Sequence, residues 1–158
     1  MDKISLGDPV PNFQLPATGG KTIALDDLKG KNVVLYFYPK DNTPGCTLEG
    51  QSFRDHHAAF AAHNTVILGV SRDSMASHES FKSKQDYNFD LLSDKDEQLC
   101  RLFDVIKLKN MYGKEVMGVE RSTFLIDKNG VLHQEWRKVK VDGHVDAVLE
   151  AVKTLRNH

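Results

Sequence analysis

The chain has 158 residues, a length that suits one domain, and we expect residues 1–158 to form a single domain. Apolar residues make up 40% and charged residues 27%, which is typical of a packed core beneath a polar surface and excludes a disordered chain. The net charge of -1 provides no overall field to attract nucleic acid or an anionic membrane, so we expect neither as a partner.

Glycine pairs and buried apolar runs define the first half of the chain. Short segments around Gly19 and Gly20 predict a β-hairpin, and the run Val33–Tyr38 is typical of a strand buried on both faces. The helix that follows is predicted to bury Leu48, Phe53, Phe60 and Ala61. The predicted elements are a hairpin over 12–15 and 21–25, a helical turn over 26–30, a strand over 33–38, a helix over 45–62 and a strand over 65–70.

The second half alternates between helices and strands. Ser74 is predicted to cap one helix, and Asp94 with Glu97 resembles a capping box that opens another. Residues 104–118 show no periodicity and are predicted to form a mobile surface loop. The remaining predicted elements are helices over 74–87 and 145–156, and strands over 89–92, 122–126 and 131–139. This alternation predicts an α/β protein with a mixed β-sheet flanked by helices.

The cysteines and the apolar runs indicate a cytoplasmic protein. The longest apolar run, Val33–Tyr38, is far shorter than the ~20 residues of a membrane-spanning helix, and residues 1–9 lack the apolar segment of a signal peptide. Two cysteines, Cys46 and Cys100, are too few for a disulfide framework. In a reducing compartment, a cysteine is more often reactive than structural.

Segment 38–46, YPKDNTPGC, carries the strongest functional signal in the sequence. It follows a buried strand and places Cys46 in the first turn of a helix, where free N–H groups and the helix dipole favour an anion. Pro39 and Pro44 stiffen the loop, and Thr43 places a hydroxyl one helical turn before the sulfur. A free cysteine is otherwise commonly a small buried apolar residue, so its position alone leaves both roles open.

These residues resemble the peroxiredoxin family. Pro39-x-x-x-Thr43-x-x-Cys46 matches its active-site motif. Four segments of the chain resemble, in the same order, the bacterioferritin comigratory protein (PrxQ-type) branch of this family. They are 37–55, 91–94, 111–114 and 118–127. The resemblance covers nearly the whole chain and implies a thioredoxin-like fold. It also implies a thiol-dependent peroxidase that reduces hydrogen peroxide and organic hydroperoxides.

The resemblance implies a role for each residue of the site. Cys46 is the peroxidatic cysteine, whose thiolate attacks the peroxide and becomes sulfenic acid. Thr43 and Arg121 are its partners, Pro39 shields the pocket, and the N–H groups of Gly45 and Cys46 can face the bound peroxide. A thiol then reduces the sulfenic acid, with thioredoxin, glutaredoxin or glutathione as the candidate reductants. Neither a metal nor an organic cofactor is implied. Without the motif, Arg121 would be read as a surface residue.

The second cysteine departs from the pattern of this branch. Many relatives carry a resolving cysteine five residues after the peroxidatic one, where this chain has Gln51, or in the next helix near 81–84, where this chain has none. Cys100 lies in a predicted helix beside apolar residues, which favours a buried thiol and leaves a long-distance resolving role as the alternative. We therefore expect a one-cysteine cycle that an external thiol completes.

Other chemistries fit the sequence less well. His56, His57 and His63 lack metal-ligand spacing and are expected at a polar surface, and no histidine signature marks Cys46 as the nucleophile of a hydrolase. Glu49 stands where a Cys-x-x-Cys reductase needs its second cysteine. Two hypotheses remain: a monomeric peroxide-reducing enzyme, and a catalytically quiet thioredoxin-like domain that acts as a redox sensor or binding module. Repeated turnover of peroxide distinguishes them.

Overall fold

The computed structural model describes residues 3–155, which form nine strands, five α-helices and a 3-10 helix. The strands are β1 (Gln14–Ala17), β2 (Lys21–Ala24), β3 (Asn32–Phe37), β4 (Thr65–Ser71), β5 (Asp90–Ser93), β6 (Ile106–Met111), β7 (Lys114–Val119), β8 (Ser122–Ile126) and β9 (Leu132–Trp136). The helices are α1 (Pro44–Asp55), α2 (His57–Ala62), α3 (Met75–Gln85), α4 (Gln98–Leu102) and α5 (His144–Thr154), with the 3-10 helix at Leu25–Leu28. None of the helices within these residues is long and apolar enough to cross a membrane.

Strand β3 runs through the interior of a seven-stranded mixed sheet because its residues are apolar on both faces. The strand order is β2-β1-β5-β4-β3-β8-β9, and β3 pairs in parallel with β4 and antiparallel with β8. Phe37, the last residue of β3, lies opposite Val70 of β4 and Ser122 of β8. The loop that leaves β3 and the residue that precedes β8 therefore lie at the same edge of the sheet.

The sheet separates two apolar cores, because successive side chains of a strand point to opposite faces. Tyr36 of β3 belongs to the core that α1, α2, α3 and α5 cover, whereas Phe37 belongs to the core that contains α4 and the segment before β1. Cys46 packs in the first core and Cys100 in the second. The two cysteines thus lie on opposite faces of the sheet.

The predicted fold class is confirmed. The N-terminal hairpin, the two buried parallel strands and the hairpin around 127–130 all occur within a mixed sheet flanked by helices. Ser74 caps α3, since its hydroxyl accepts a hydrogen bond from the backbone N–H of Ser77. The last predicted strand ends at Trp136 rather than at 139, and position 156 of the predicted final helix lies outside the described residues.

The prediction of a loop over 104–118 was wrong, because β6 and β7 form an antiparallel hairpin there. Its turn residues, Tyr112 and Gly113, both have positive φ, at 55° and 81°. Two consecutive residues with positive φ form the kind of turn whose twist matches that of a hairpin. The Tyr-Gly pair was therefore a turn signal, although a tyrosine seldom adopts this conformation.

Two details of the predicted helices were also wrong. The helix over 45–62 is divided at His56 into α1 and α2, and Leu48 is 59% exposed while Ala61 is also exposed. The capping box at Asp94 and Glu97 does not form. The Asp94 carboxylate instead accepts a hydrogen bond from the backbone N–H of Cys100, and Glu97 has a left-handed backbone at φ 61°.

We predict that Gly50→Ala destabilises the fold, because a Cβ at Gly50 would overlap the ring and hydroxyl of Tyr87. That hydroxyl donates to the carbonyl oxygen of Thr47 at 3.2 Å. Alanine in place of glycine inside a helix normally gains about 1 kcal/mol, but overpacking costs about 1–3 kcal/mol. In urea unfolding, Gly50→Ala should lower the free energy of unfolding of the wild type and raise that of Tyr87→Ala. Stabilisation in both backgrounds would contradict the contact.

Candidate active site

Cys46 lies in the first turn of α1, with Thr43 as the N-cap and Pro44 at the first helical position. Proline suits this position because its missing N–H would have no partner inside the helix. The cysteine is only 2% exposed and packs against one of the two apolar cores. Free N–H groups and the helix dipole make this end of α1 favourable for an anion.

Arg121 approaches this sulfur from the start of β8, as the register of β3 and β8 requires. Its Nη2 donates to the Cys46 Sγ at 3.3 Å, and its Nη1 donates to the Glu49 Oε1 at 2.6 Å. Burial lowers the pKa of Arg121, but the charges of Glu49 and Cys46 raise it by a larger amount. The pKa of Arg121 therefore lies above its ordinary value. The guanidinium therefore remains a cation that joins the sulfur to a carboxylate.

Glu49 is a fully buried carboxyl group on the same helix as Cys46. Burial raises its pKa from 4.5 to about 7, although the neighbouring Arg121 opposes that rise. Its second oxygen, Oε2, has no hydrogen-bond partner among the described residues. Sequence reasoning missed this residue as part of the site, although residues three apart on a helix share a face.

The remaining predicted residues surround the same loop. The Thr43 hydroxyl donates to the carbonyl oxygen of Lys40 at 2.8 Å and so stabilises the turn before α1. Pro39 is half-buried at the start of this loop. Gly45 leaves room for Arg121, because a Cβ there would lie 3.2 Å from the Nη2 atom. The structure thus brings Pro39, Thr43, Gly45 and Arg121 to the loop and helix end that carry Cys46.

Cys100 does not belong to this group. It is fully buried in α4, and burial together with Asp94 raises the pKa of its thiol far above the ordinary value. Both cysteines are free, and the sheet lies between the cores in which they pack.

A second buried group near Arg121 was also missed from the sequence. Nε2 of His144, at the start of α5, lies 2.8 Å from the Thr123 hydroxyl. Burial and the charge of Arg121 lower the pKa of this histidine to about 4, so it is neutral at pH 7.

Known proteins with the same fold place the chain in a family. The AhpC/TSA family profile matches residues 6–135. The chain is 53% identical to peroxiredoxin Bcp of Bacillus subtilis over 152 residues, which cover 96% of this chain and 97% of that one. It is 55% identical to peroxiredoxin Bcp of Xanthomonas campestris over 147 residues, which cover 92% of each chain.

Solved structures agree with this result. The bacterioferritin comigratory protein of Xanthomonas campestris superposes with a TM-score of 0.86 at 55% identity, over 89% of this chain and 90% of that chain. A mutant of Xylella fastidiosa PrxQ superposes with a TM-score of 0.91 at 45% identity, over 97% and 98% of the two chains.

The chain has a thioredoxin fold, and its alignments with peroxiredoxins cover almost its entire length. The chain is therefore a thiol-dependent peroxidase. The chain belongs to the AhpC/TSA family, and its relatives are peroxiredoxins of the bacterioferritin comigratory protein (PrxQ) type. The predicted family, fold and enzyme class are therefore confirmed.

We predict that Glu49 makes the stability of the fold depend on pH. Its pKa is about 7 in the folded state and near 4.5 in the unfolded chain, so the folded state binds more protons between these values. Stability therefore falls as the pH rises through this range. Glu49→Gln should remove this pH dependence. Its free energy of unfolding, relative to that of its parent, should therefore increase by about 3 kcal/mol between pH 4.5 and pH 7.

Urea unfolding between pH 4.5 and pH 8 measures this difference. Both proteins should carry Cys46→Ser, so that the thiol does not contribute to the titration. If the difference in unfolding free energy between Glu49→Gln and its parent does not change with pH, burial does not raise the pKa of Glu49.

Proposed function

We propose that Cys46 performs the peroxidase reaction, assisted by Arg121 and Thr43. The observation that carries this proposal is the hydrogen bond from Arg121 Nη2 to Cys46 Sγ at 3.3 Å, at the end of α1 that favours an anion. The thiolate sulfur attacks the terminal oxygen of a hydroperoxide. The S–O bond forms as the O–O bond breaks, and the leaving oxygen takes a proton to become water or an alcohol. Cys46 is left as a sulfenic acid.

Positioned donors supply most of the acceleration in this proposal. A lower thiol pKa raises the fraction of thiolate, but the nucleophilicity of the thiolate falls at the same time, so the net gain is small. Charge that develops on the leaving oxygen is stabilised better by fixed donors in a pocket that excludes water. Arg121 supplies donors in a rigid plane, and Glu49 holds that plane in place at 2.6 Å. The N–H groups of Gly45 and Cys46 complete the set, while Pro39 shields the sulfur. The Thr43 hydroxyl donates to the carbonyl oxygen of Lys40 and holds the turn that places these groups.

Organic hydroperoxides are proposed substrates beside hydrogen peroxide. Alkyl peroxide reduction is an activity of the Xanthomonas campestris relative, which is 55% identical to this chain.

The physiological setting is proposed to be a reducing cytoplasm, with thioredoxin, glutaredoxin or glutathione as the reductant. The two free cysteines support this setting, since neither is used in a structural disulfide.

We predict that the protein is a monomer in solution, because most of its large apolar residues fill the two cores of its own sheet. Sedimentation velocity at micromolar concentration should show one species of monomer mass. A stable dimer or a larger ring would contradict this prediction.

We predict that Cys46→Ser abolishes peroxide reduction, because an alcohol does not ionise near neutral pH. Loss of Arg121 should slow oxidation of Cys46 about 10²–10³-fold, as for other positioned donors. Stopped-flow oxidation by hydrogen peroxide measures this rate.

The Arg121→Ala substitution should be made with Glu49→Gln, since it would otherwise leave a buried carboxylate unpaired. Glu49→Gln alone is the reference for that pair. Arg101→Ala removes an arginine whose side chain is 70% exposed, and it should react like the wild type. Equal rates with and without Arg121 would disprove the assigned role.

The separation of the two thiols supports a one-cysteine cycle. A disulfide requires Cα atoms within about 7 Å, whereas Cys46 and Cys100 pack in cores on opposite faces of the sheet. Burial and Asp94 also keep Cys100 in its protonated form, which is a poor nucleophile. The sulfenic acid on Cys46 therefore waits for an external thiol, and excess peroxide can oxidise it further to sulfinic acid.

We predict that wild-type protein treated with one equivalent of peroxide forms little Cys46–Cys100 disulfide. Mass spectrometry without added thiol should show one added oxygen on the Cys46 peptide, and a mixed disulfide when glutathione is present. Cys100→Ser should keep nearly full turnover with an external thiol. A high yield of the cross-linked peptide, with the loss of two hydrogens, would instead make Cys100 the resolving residue.

A further inference from the structure

A buried carboxylate–histidine pair lies beneath the loop that leads to Cys46. His78 of α3 is 0% exposed, and the Asp41 side chain in the loop is 1% exposed. The His78 Nδ1 and the Asp41 Oδ2 are 2.7 Å apart. The pair therefore joins α3 to the segment between β3 and α1.

Hydrogen bonds hold this pair from several sides. Nε2 of His78 lies 2.8 Å from the carbonyl oxygen of Leu92, and Nδ1 faces the Asp41 carboxylate. The same carboxylate accepts from the hydroxyls of Tyr38 at 2.7 Å and Ser77 at 2.8 Å. The Asp41 side chain is therefore fixed by three side-chain contacts.

A second carboxylate, that of Asp73, holds the backbone of Asp41. Asp73 Oδ2 accepts from the backbone N–H of Asp41 at 2.9 Å and from the Ser71 hydroxyl at 2.6 Å. Polar atoms of Asp41, Asp73 and His78 lie within 4.8 Å of one another. Donors of the protein occupy the Asp41 and Asp73 oxygens that face His78, so we assign this group to hydrogen bonding and not to a metal. Burial raises the pKa of Tyr38, the other titratable group in contact with Asp41, so its hydroxyl remains a neutral donor.

We propose that His78 is a positioning residue of the peroxidase site, whose hydrogen bond holds Asp41 and thereby the loop that carries Pro39 and Thr43. Asp41 lies two residues from each of them, and both its carboxylate and its backbone N–H are engaged. Asn42, the next residue, has a left-handed backbone at φ 65°, a conformation that needs support from its surroundings. The proposal rests on the roles proposed above for Cys46, Thr43 and Pro39.

This role has a kinetic signature that separates it from a general effect on stability. A displacement of about 1 Å in a positioned group can slow a reaction about 100-fold. Alkylation of the thiolate by iodoacetamide needs no positioned partner. Loss of the His78–Asp41 contact should therefore slow oxidation of Cys46 by peroxide and leave alkylation of Cys46 nearly unchanged.

Two substitutions separate the two hydrogen bonds of His78. The amide nitrogen of His78→Asn occupies the place of Nδ1 and keeps a donor toward Asp41. The amide nitrogen of His78→Gln occupies the place of Nε2 and keeps only the donor toward Leu92. We expect stopped-flow oxidation by hydrogen peroxide to be about 10–100-fold slower in His78→Gln and within about threefold of wild type in His78→Asn. Iodoacetamide rates should agree within about threefold among all three proteins.

Proton NMR of the reduced wild type tests the His78–Asp41 hydrogen bond directly and does not depend on how the variants fold. The hydrogen shared between Nδ1 and Asp41 should give a slowly exchanging downfield signal because both side chains are buried. Asp41→Ala should remove that signal. Absence of the signal in the wild type, or a wild-type peroxide rate in His78→Gln, overturns the proposal.

Cys46→Ser distinguishes failure of this proposal from failure of the proposed function. If Cys46→Ser is inactive while His78→Gln reacts like the wild type, only the role of His78 is disproved. If Cys46→Ser still reduces peroxide, the assignment of the site itself is wrong, and the role of His78 is disproved with it.

Discussion

The site depends on the hydrogen bonds of the half-buried Arg121 guanidinium. The guanidinium donates to Glu49 at 2.6 Å and to the sulfur of Cys46 at 3.3 Å. A buried carboxylate costs several kcal/mol unless a partner compensates its charge. Glu49 fixes the orientation of the guanidinium plane, and the plane directs its other N–H groups toward the sulfur. A lysine could not replace Arg121, because one ammonium group lacks this rigid pair of donor directions.

The sheet places Arg121 beside Cys46, and most of the elements that produce this arrangement could be predicted from the sequence. The apolar run of β3 indicated a buried strand, and the motif after it indicated a cysteine at a helix start. Because β8 runs antiparallel to β3, Arg121 before β8 lies beside the loop after β3. Glu49 and His78 were missed, because a charged residue on a helix is usually exposed and burial depends on tertiary contacts.

The elements that could not be predicted share a physical cause. The hairpin of β6 and β7 has exposed side chains on both faces along most of β7, so no alternation of apolar and polar residues marks it. Leu48 was assigned to the core from its position in a helical period, yet its side chain is exposed. In both places tertiary context, which a pattern in one segment does not contain, decides what is buried.

The two cysteines lie on opposite faces of the sheet, in different chemical surroundings. The core of α1, α3 and α5 contains Cys46 beside the buried charges of Glu49 and Arg121, whereas Cys100 packs in the other core. A thiolate forms where fixed donors and a helix end stabilise it, so these surroundings favour reaction at Cys46. Around Cys100, burial and the Asp94 carboxylate favour the protonated thiol instead. The same partition separates Cys100 from the proposed peroxidatic sulfur, which supports the proposed cycle in which an external thiol returns Cys46 to its reduced form.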